Sequence, residues 1–273
     1  MGRFGPAGLP SALILTIDNL GEARALERGA QPADVALGSD PSVTEALPWL
    51  LDTLDGRRLT ATFFVEAINC ELYPDAVREI AARGHGVGIH GWRHEEWASL
   101  SAADERDVLT RSVDAFSALG LEPRGFRPPG GELNSRTPAL LRAGGLRWCS
   151  PAGGVTGVRH GLAYVTFAWA MVDAYHLMDS FEALRVSRGD PKESLDPDDL
   201  ADRWEEELAD LAVTGSLRTL VLHPFLMLDE RWSAGVARLL GFVAELARER
   251  RTWVVSGDEF ADWLQHSNAA LRS

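Results

Sequence analysis

The chain has 273 residues, 45% of them hydrophobic, which is enough apolar material for one sizeable core. Its 27 basic and 40 acidic residues give a formal net charge of −13, which argues against nucleic acid as a partner because phosphate binding needs clustered cations. No stretch approaches the roughly 18 apolar residues of a membrane span. The separated Cys70 and Cys149 predict reduced thiols, and the lack of a long apolar leader with a cleavage site predicts a cytoplasmic protein.

Short β-rich segments alternate with helical segments along the chain. This alternation favours parallel strands joined by helical crossovers. The clearest predicted strands are residues 12–17, 60–65, 85–89, 218–223 and 252–255, and the weaker ones are 125–127, 146–149 and 162–168. We therefore predict an α/β fold with a single domain over residues 1–273, whose core runs from about 12 to 264.

Capping residues and long irregular segments complete this outline. Four helices are predicted, and they begin at Pro74, Ser101, Asp196 and Ser256. Residues 19–41 and 179–198 are rich in turn-forming residues and are predicted as long loops, which in a compact domain are either functional or mobile.

Unusual polar residues fall at or just beyond the carboxyl ends of the predicted strands. They are Asp18, His90, His94, Arg127, Asp173 and His223. In a closed parallel sheet these strand ends converge on one face, where active sites are built. A common site is therefore the simplest explanation of their shared position.

His90 and His94, in GHGVGIHGWRHEEW, have three competing interpretations. They form a metal site, a catalytic acid/base pair, or two polar residues on a loop. Glycine beside them lets a metal approach the backbone closely. Neutral imidazole suits Zn²⁺, Co²⁺ or Ni²⁺, but a carboxylate or a third imidazole is normally needed to complete such a site.

Asp18 is the natural third partner, because the buried strand before it brings its carboxylate to the mouth of the sheet; a turn cap is the alternative. The prolines and glycines of RPPGG fix the loop after Arg127, so its guanidinium can orient a carboxylate, and a surface ion pair is the alternative. For His223 taken alone, a hydrogen-bonded core histidine is favoured. Candidate substrate contacts are Trp92, Trp169 and Asp173, with Trp97 as a further pocket wall, although ordinary packing explains any single tryptophan equally well.

The segments LTID, ATFFV, GHGVGIHGWRHE, GFRPPGG and LVLHP stand in the order used by the polysaccharide deacetylase superfamily, carbohydrate esterase family 4. The chain resembles this family over residues 12–264, and FAWAMVDAY resembles its intracellular amidohydrolase and allantoinase-like branch. The resemblance implies an irregular (β/α) barrel of about seven parallel strands that hydrolyses an acetamide or related C–N bond. It also implies Zn²⁺ or a similar ion at His90 and His94, with Asp18 as base, Arg127 as its orienting residue and His223 as acid.

One position departs from the family pattern. The aspartate that normally follows the first one is absent, since Asn19 and Leu20 stand at those places. Asn19 can ligate a metal through its carbonyl oxygen, and Glu22 or Asp18 itself are alternative ligands. A metal-independent mechanism is the other alternative that the resemblance leaves open.

The function expected from these residues and this resemblance is amide hydrolysis. The substrate is expected to be a small acetamido or ureide molecule, such as an N-acetylated sugar or metabolite, attacked by metal-activated water. The alternatives are a metal-independent allantoinase-like amidohydrolase and a non-catalytic ligand-binding relative. Neither nucleic acid nor a membrane is expected as a partner, and the sequence leaves assembly into a homo-oligomer open.

Overall fold

The computed structural model describes residues 5–6, 9 and 11–270, with only the backbone described at residues 212 and 268–270. Within these residues, nine strands form one curled sheet: β1 (Ala12–Asp18), β2 (Thr62–Val65), β3 (Gly86–Ile89), β4 (Gly125–Phe126), β5 (Trp148–Cys149), β6 (Gly157–Arg159), β7 (Leu162–Tyr164), β8 (Leu217–Leu222) and β9 (Trp253–Val255). All eight predicted strands are confirmed, and β6 is an addition that the sequence pattern did not indicate.

The strand order is β6-β7-β5-β4-β3-β2-β1-β8, and β9 pairs with the first half of β1. Every pairing is parallel except the β6–β7 hairpin. The sheet curls until its two sides approach each other. There, one bridge joins Val172 to Val221, and the Thr219 hydroxyl donates to the Thr166 carbonyl at 3.0 Å. The predicted irregular (β/α) barrel is thus confirmed, as a curled and incompletely closed sheet.

The helices lie between the strands in sequence: α1 (Ala23–Glu27), α2 (Leu47–Arg57), α3 (Asn69–Leu72), α4 (Pro74–Ala82), α5 (Ala102–Ala118), α6 (Thr137–Ala143), α7 (Asp173–Leu177), α8 (Glu182–Ser187), α9 (Pro197–Thr214), α10 (Glu230–Arg248) and α11 (Gly257–Ala270). The four predicted helices correspond to α4, α5, α9 and α11. The two predicted loops are only partly irregular, because α1 and α8 lie within them. No helix in the described part of the chain is long and apolar enough to cross a membrane.

Side-chain alternation along the strands decides what faces the concave side of the sheet. In β1, Leu13, Leu15 and Ile17 pack toward the large core cluster under the helices, whereas Ala12 and Ile14 belong to a separate cluster. Thr16 and Asp18 continue that second face, because successive side chains point to opposite sides of a strand. The sheet therefore presents Asp18 on its concave face, at the carboxyl end of the strand.

Two glycines make room for bulky side chains on this concave face. A Cβ at Gly88 would lie 2.7 Å from the Phe64 ring, and one at Gly125 would lie 2.5 Å from the Trp148 ring. Any larger residue at either position would displace an aromatic ring that fills the interior. The rings of Phe64 and Trp148 thus fill the interior of the sheet at these two positions.

Candidate active site

A cavity of about 860 Å³ opens over the carboxyl ends of the strands. Most of the side chains predicted from the sequence line it: Asp18, Asn19, His90, His94, Arg127, Trp169 and His223. These residues come from five separate segments, and the parallel topology brings them together. Trp92 and Asp173 are not part of this lining.

His90 and His94 lie in contact, with their ring centroids 5.0 Å apart and their planes nearly perpendicular. The Nδ1 atom of His90 hydrogen-bonds the Arg127 carbonyl oxygen at 2.8 Å, which leaves Nε2 free to act as a ligand. Burial lowers the pKa of His90 to about 3, and burial together with the His90 charge lowers that of His94 well below its usual range. Both imidazoles are therefore neutral at neutral pH, which is the form that binds metals.

The tight turn that carries both histidines is held by Glu95. Its carboxylate accepts from the backbone N–H groups of Trp92 and Arg93, each at 2.9 Å. His94 adopts a φ of +70°, which is costly for a side chain other than glycine. This turn, rather than a helix, produces the four-residue spacing between the histidines.

Glu66 is the functional candidate that the sequence analysis missed. One oxygen of its carboxylate lies within 4.8 Å of ligand nitrogens of both His90 and His94, which are themselves that close. Glu66 follows β2 directly, and Thr62, Phe64 and Glu66 alternate onto one face in the same way as Thr16 and Asp18. The sequence therefore contained a pattern that indicates Glu66, because it follows a buried strand directly, as the carboxylate of Asp18 does.

The Glu66 carboxylate is fully buried and only half satisfied. Its Oε2 accepts from the Leu20 N–H at 3.2 Å, and its Oε1 has no partner within the described residues. Burial raises the pKa of Glu66 well above its usual range, and the nearby Asp18 charge adds to this effect. A cation next to Oε1 would give this oxygen a partner and would lower the raised pKa of the Glu66 carboxyl group.

Asn19 and Glu22 have different surroundings in the structure. Asn19 adopts a φ of +60° and its Oδ1 is buried, again without a partner among the described residues. Glu22 faces away from the histidines, because its carboxylate accepts from Tyr73 Oη at 2.6 Å and from the Gly38 N–H at 2.8 Å. Glu22 is not among the three side chains whose ligand atoms cluster, which are Glu66, His90 and His94.

Asp18 and Arg127 form a buried ion pair, with Arg127 Nη1 and Asp18 Oδ1 2.8 Å apart. The remaining guanidinium donors are also used, since Nη1 donates to Thr16 Oγ1 and Nη2 to Ser150 Oγ, each at 2.8 Å. The other carboxylate oxygen of Asp18, Oδ2, lies 4.0 Å from His90 Nε2. The carboxylate is thus fixed on one side and faces the histidine cluster on the other.

His223 lies in the cavity lining, and Asp173 lies behind it. The Asp173 carboxylate accepts from the His223 backbone N–H at 2.8 Å and hydrogen-bonds His223 Nδ1. It is fully buried, and Trp232 Nε1 also donates to it at 3.4 Å. Asp173 therefore fixes the orientation of His223, and Asp173, which the sequence suggested as a substrate contact, is not itself part of the cavity lining.

The tryptophans separate into core and cavity residues. Trp97 is fully buried and donates from Nε1 to Thr137 at 3.1 Å, and Trp92 is buried with the Arg111 guanidinium 3.4 Å above its ring. Trp169 alone of the three lines the cavity, together with Phe167 and Phe181, whose ring centroids lie 5.5 and 5.8 Å from its own. These three rings form an aromatic wall.

Comparison with known proteins agrees with the fold and the sequence pattern. Residues 28–149 match the family described as polysaccharide deacetylase. Chitin deacetylase 1 of Saccharomyces cerevisiae is 40% identical over 104 residues, which is 38% of this chain and 33% of that protein. The chain therefore matches only about a third of the length of this curated relative. The matched family region contains Glu66, His90, His94 and Arg127 but begins after Asp18 and Asn19.

Solved structures extend the likeness to nearly the whole chain. A protein from Mycobacterium smegmatis assigned to the polysaccharide deacetylases superposes with a TM-score of 0.82 and 25% identity, over 97% of this chain and 93% of that one. The Puue allantoinase has the same fold, with a TM-score of 0.74 at 16% identity over 94% of this chain and 91% of its own. Residues 28–149 thus match the polysaccharide deacetylase family, and nearly the whole chain shares the fold of a protein assigned to that family.

Proposed function

We propose that this protein is an amide hydrolase that removes the acetyl or a related acyl group from a small N-acylated molecule. One observation carries the proposal. The ligand atoms of Glu66, His90 and His94 cluster within 4.8 Å, beside the Asp18–Arg127 pair and in a cavity that His223 also lines. The curated relatives are named as deacetylases of chitin and of peptidoglycan, which supports the reaction class.

The residues of this cluster fit a divalent metal ion. Two neutral imidazoles and one carboxylate are a ligand set that suits Zn²⁺, with Co²⁺ and Ni²⁺ as chemically similar alternatives. These three side chains would hold the ion between their ligand atoms, which lie within 4.8 Å of one another. The unpaired Oδ1 of Asn19 is a further, neutral ligand. Glu66 thus replaces the carboxylate that position 19 lacks.

A divalent ion bound at this cluster supplies Lewis-acid polarisation of the amide carbonyl and acidification of a water molecule. Asp18 takes the proton of the attacking water, and the ion pair with Arg127 holds its carboxylate in position. His223 gives a proton to the departing amine nitrogen from Nε2, because Asp173 holds Nδ1. Trp169 and the adjacent rings exclude water and offer a stacking surface to the substrate.

Metal content and product release test this proposal together. Protein equilibrated with Zn²⁺ and then dialysed is expected to retain about one ion per chain by mass spectrometry, and to release acetate from members of a panel of N-acetyl sugars and N-acetyl amino acids. Glu66→Gln and His90→Asn are expected to lose most of the retained ion. His266→Gln, which changes an exposed histidine on α11, is the matched control. Equal metal content in all four proteins would refute the metal site, and no acetate from the parent on any compound would refute the activity.

A further inference from the structure

Two arginines, one in α1 and one directly after it, line the cavity and form no ion pair within the described residues. Arg24 and Arg28 are four residues apart and share one helical face, and the Arg28 N–H donates to the Arg24 carbonyl at 3.2 Å. Within the described residues, neither guanidinium lies within 4.0 Å of a carboxylate oxygen. Like charges one turn apart repel each other, so this arrangement is unfavourable unless an anion lies between them.

Arg24 is the more constrained of the two side chains. Its Nε atom is buried, and no described residue accepts a hydrogen bond from it. Burial lowers the pKa of Arg24, and the Arg28 charge lowers it further. An arginine guanidinium carries five donors in a planar fork that matches a carboxylate, and a buried donor without an acceptor costs free energy. The site therefore lacks an acceptor beside Arg24.

The acidic side chains that line the cavity, among them Glu27, form no ion pair with Arg24 or Arg28 within the described residues. Asp18 pairs with Arg127, and Glu95 accepts from the backbone of its own turn. Burial and the charge of Glu95 raise the pKa of Glu27. The charge of Glu66 raises the pKa of Arg24, and we assign the unpaired Oε1 of Glu66 to the metal.

A third arginine reaches the same cavity from the other long loop. Arg188 directly follows α8 and lines the cavity. Its side chain forms no hydrogen bond or ion pair among the described residues. The two segments predicted as long loops, residues 19–41 and 179–198, thus each contribute arginines to the lining of the same cavity.

We propose that Arg24 and Arg28 bind a carboxylate of the substrate, so that the substrate is an anionic N-acyl or ureido acid rather than a neutral acetamide. The proposal rests on the amide hydrolysis proposed above and specifies its substrate class. Arg24 is the specificity residue, since a bidentate contact from its fork fills the missing acceptor. Arg188 adds a more distant charge that attracts the same anion.

Binding of matched neutral and acidic compounds tests the proposal. The first pair is N-acetylglycine and N-acetylglycinamide, and the second is the methyl glycosides of N-acetylglucosaminuronic acid and N-acetylglucosamine. Ligand-observed NMR titration of the Zn²⁺-loaded protein gives each Kd, and the same spectra report free acetate. In at least one pair, the acid is expected to bind about tenfold to a hundredfold more tightly than its neutral partner, as for hydrogen bonds to charged groups.

Variants separate a carboxylate contact from a general loss of structure. Arg24→Gln is expected to abolish the preference for the acid while changing the Kd of the neutral compound less than about twofold, and Arg24→Lys is expected to restore only part of it. Arg106→Gln, an exposed arginine on α5, is the control and should leave the preference intact.

The outcomes distinguish this proposal from the function on which it rests. Equal binding of acid and neutral compound in both pairs, binding of neither, or an equal loss of both in Arg24→Gln would overturn the carboxylate site. A retained preference for the acid without any acetate release would leave the carboxylate site standing and refute the hydrolysis instead.

Discussion

The surroundings of Arg127 show how a charged side chain is kept at the centre of a sheet. Its guanidinium carbon lies 4.3 Å and 4.8 Å from the ring centroids of Phe64 and Phe167, and Asp18 supplies the opposite charge. Burial lowers the pKa of Arg127, and the Asp18 charge opposes that shift. Because both charges are removed from water, taking away one of them leaves the other uncompensated.

Asp18→Asn is expected to reduce both activity and stability. The amide cannot accept the proton of water, so kcat should fall by roughly a hundredfold or more. The variant also leaves Arg127 buried without a counter-charge, and the free energy of unfolding should fall by roughly 3 kcal/mol. Steady-state kinetics and urea unfolding measure the two effects, with the exposed Asp114→Asn as control. Unchanged turnover in a folded variant would remove Asp18 from the mechanism.

Asp173→Asn is expected to lower kcat without a matching change in KM. An asparagine can present its amide N–H to His223 Nδ1, which would place the imidazole proton on the other nitrogen or reverse the ring. The loss in kcat should be about a hundredfold to ten-thousandfold, as for other residues that fix a catalytic histidine. The pH dependence of kcat checks the assignment, because a purely structural residue would lower activity equally at every pH. A pH profile of unchanged shape would contradict the orienting role.

At the scale of elements, residues 175–192 form a compact unit that covers one side of the cavity. Arg185 is buried within it, and its guanidinium donates to the carbonyl oxygens of Tyr175 at 2.6 Å, Met178 at 2.9 Å and Lys192 at 2.7 Å. One side chain thus joins α7 to α8 and to the segment after it. The helices of this unit are only five and six residues long, and packing of Tyr175 on Phe181 adds to the order that Arg185 provides.

Arg185→Gln is expected to loosen this unit while the barrel remains folded. Glutamine cannot reach the three carbonyl groups at once, so residues 178–195 should become sensitive to proteases and lose hydrogen-exchange protection. KM should rise more than kcat falls, since the aromatic wall beside Phe181 is displaced. The exposed Arg203→Gln on α9 is the matched control. Protection equal to that of the parent would show that Arg185 does not hold the unit together.

At the scale of the whole molecule, buried histidines make stability depend on pH. His85 is one that lies outside the site. Its ring packs on Phe63 with the centroids 5.4 Å apart, and its buried Nε2 has no hydrogen-bond partner among the described residues, although Asp55 Oδ1 lies 4.0 Å away. Burial lowers the pKa of His85 below its ordinary value of 6.5, and Asp55 opposes that shift. The folded protein therefore binds fewer protons than the unfolded chain just below pH 6.5.

His85→Gln is expected to reduce the loss of stability on acidification. Because the folded pKa is depressed, the stabilisation is fully present above the unfolded pKa near 6.5 and is lost as pH falls toward the folded value. Removing this one group should decrease the slope of unfolding free energy against pH by at most about 1.4 kcal/mol per pH unit below 6.5. Urea unfolding from pH 7.5 to 5.0 measures it, with His266→Gln as control. An equal slope in parent and variant would contradict the prediction.

Much of the fold follows from local patterns in the sequence. Apolar segments such as residues 12–17 and 218–223 identify parallel strands, and caps such as Ser101 identify helices. The α10 helix was not predicted, although Asp229 caps it by accepting from the backbone of Arg231 and Trp232. Strand β6 was missed for a physical reason, since a three-residue hairpin strand has too few positions to show a period of two.

The sequence by itself determined which residues stand at strand ends, because a strand boundary and its polar neighbour are adjacent in the chain. This suffices for Asp18, His90, Arg127 and His223, all of which line the cavity. Only the tertiary structure shows that Glu66, and not Glu22, lies beside the two histidines. The difference depends on which side of a strand or turn each carboxylate faces, and on groups such as Tyr73 that come from elsewhere in the chain.

The same reason applies to Asp173, Trp92 and Trp169. Their positions along the chain made all three candidate substrate contacts, yet Asp173 lies behind His223, Trp92 lies under Arg111, and only Trp169 reaches the cavity. Side-chain direction at these places is fixed by packing between elements that are far apart in sequence. The sequence therefore determined the strands and the chemistry at their ends, and the packing of the sheet against its loops decided which side chains meet.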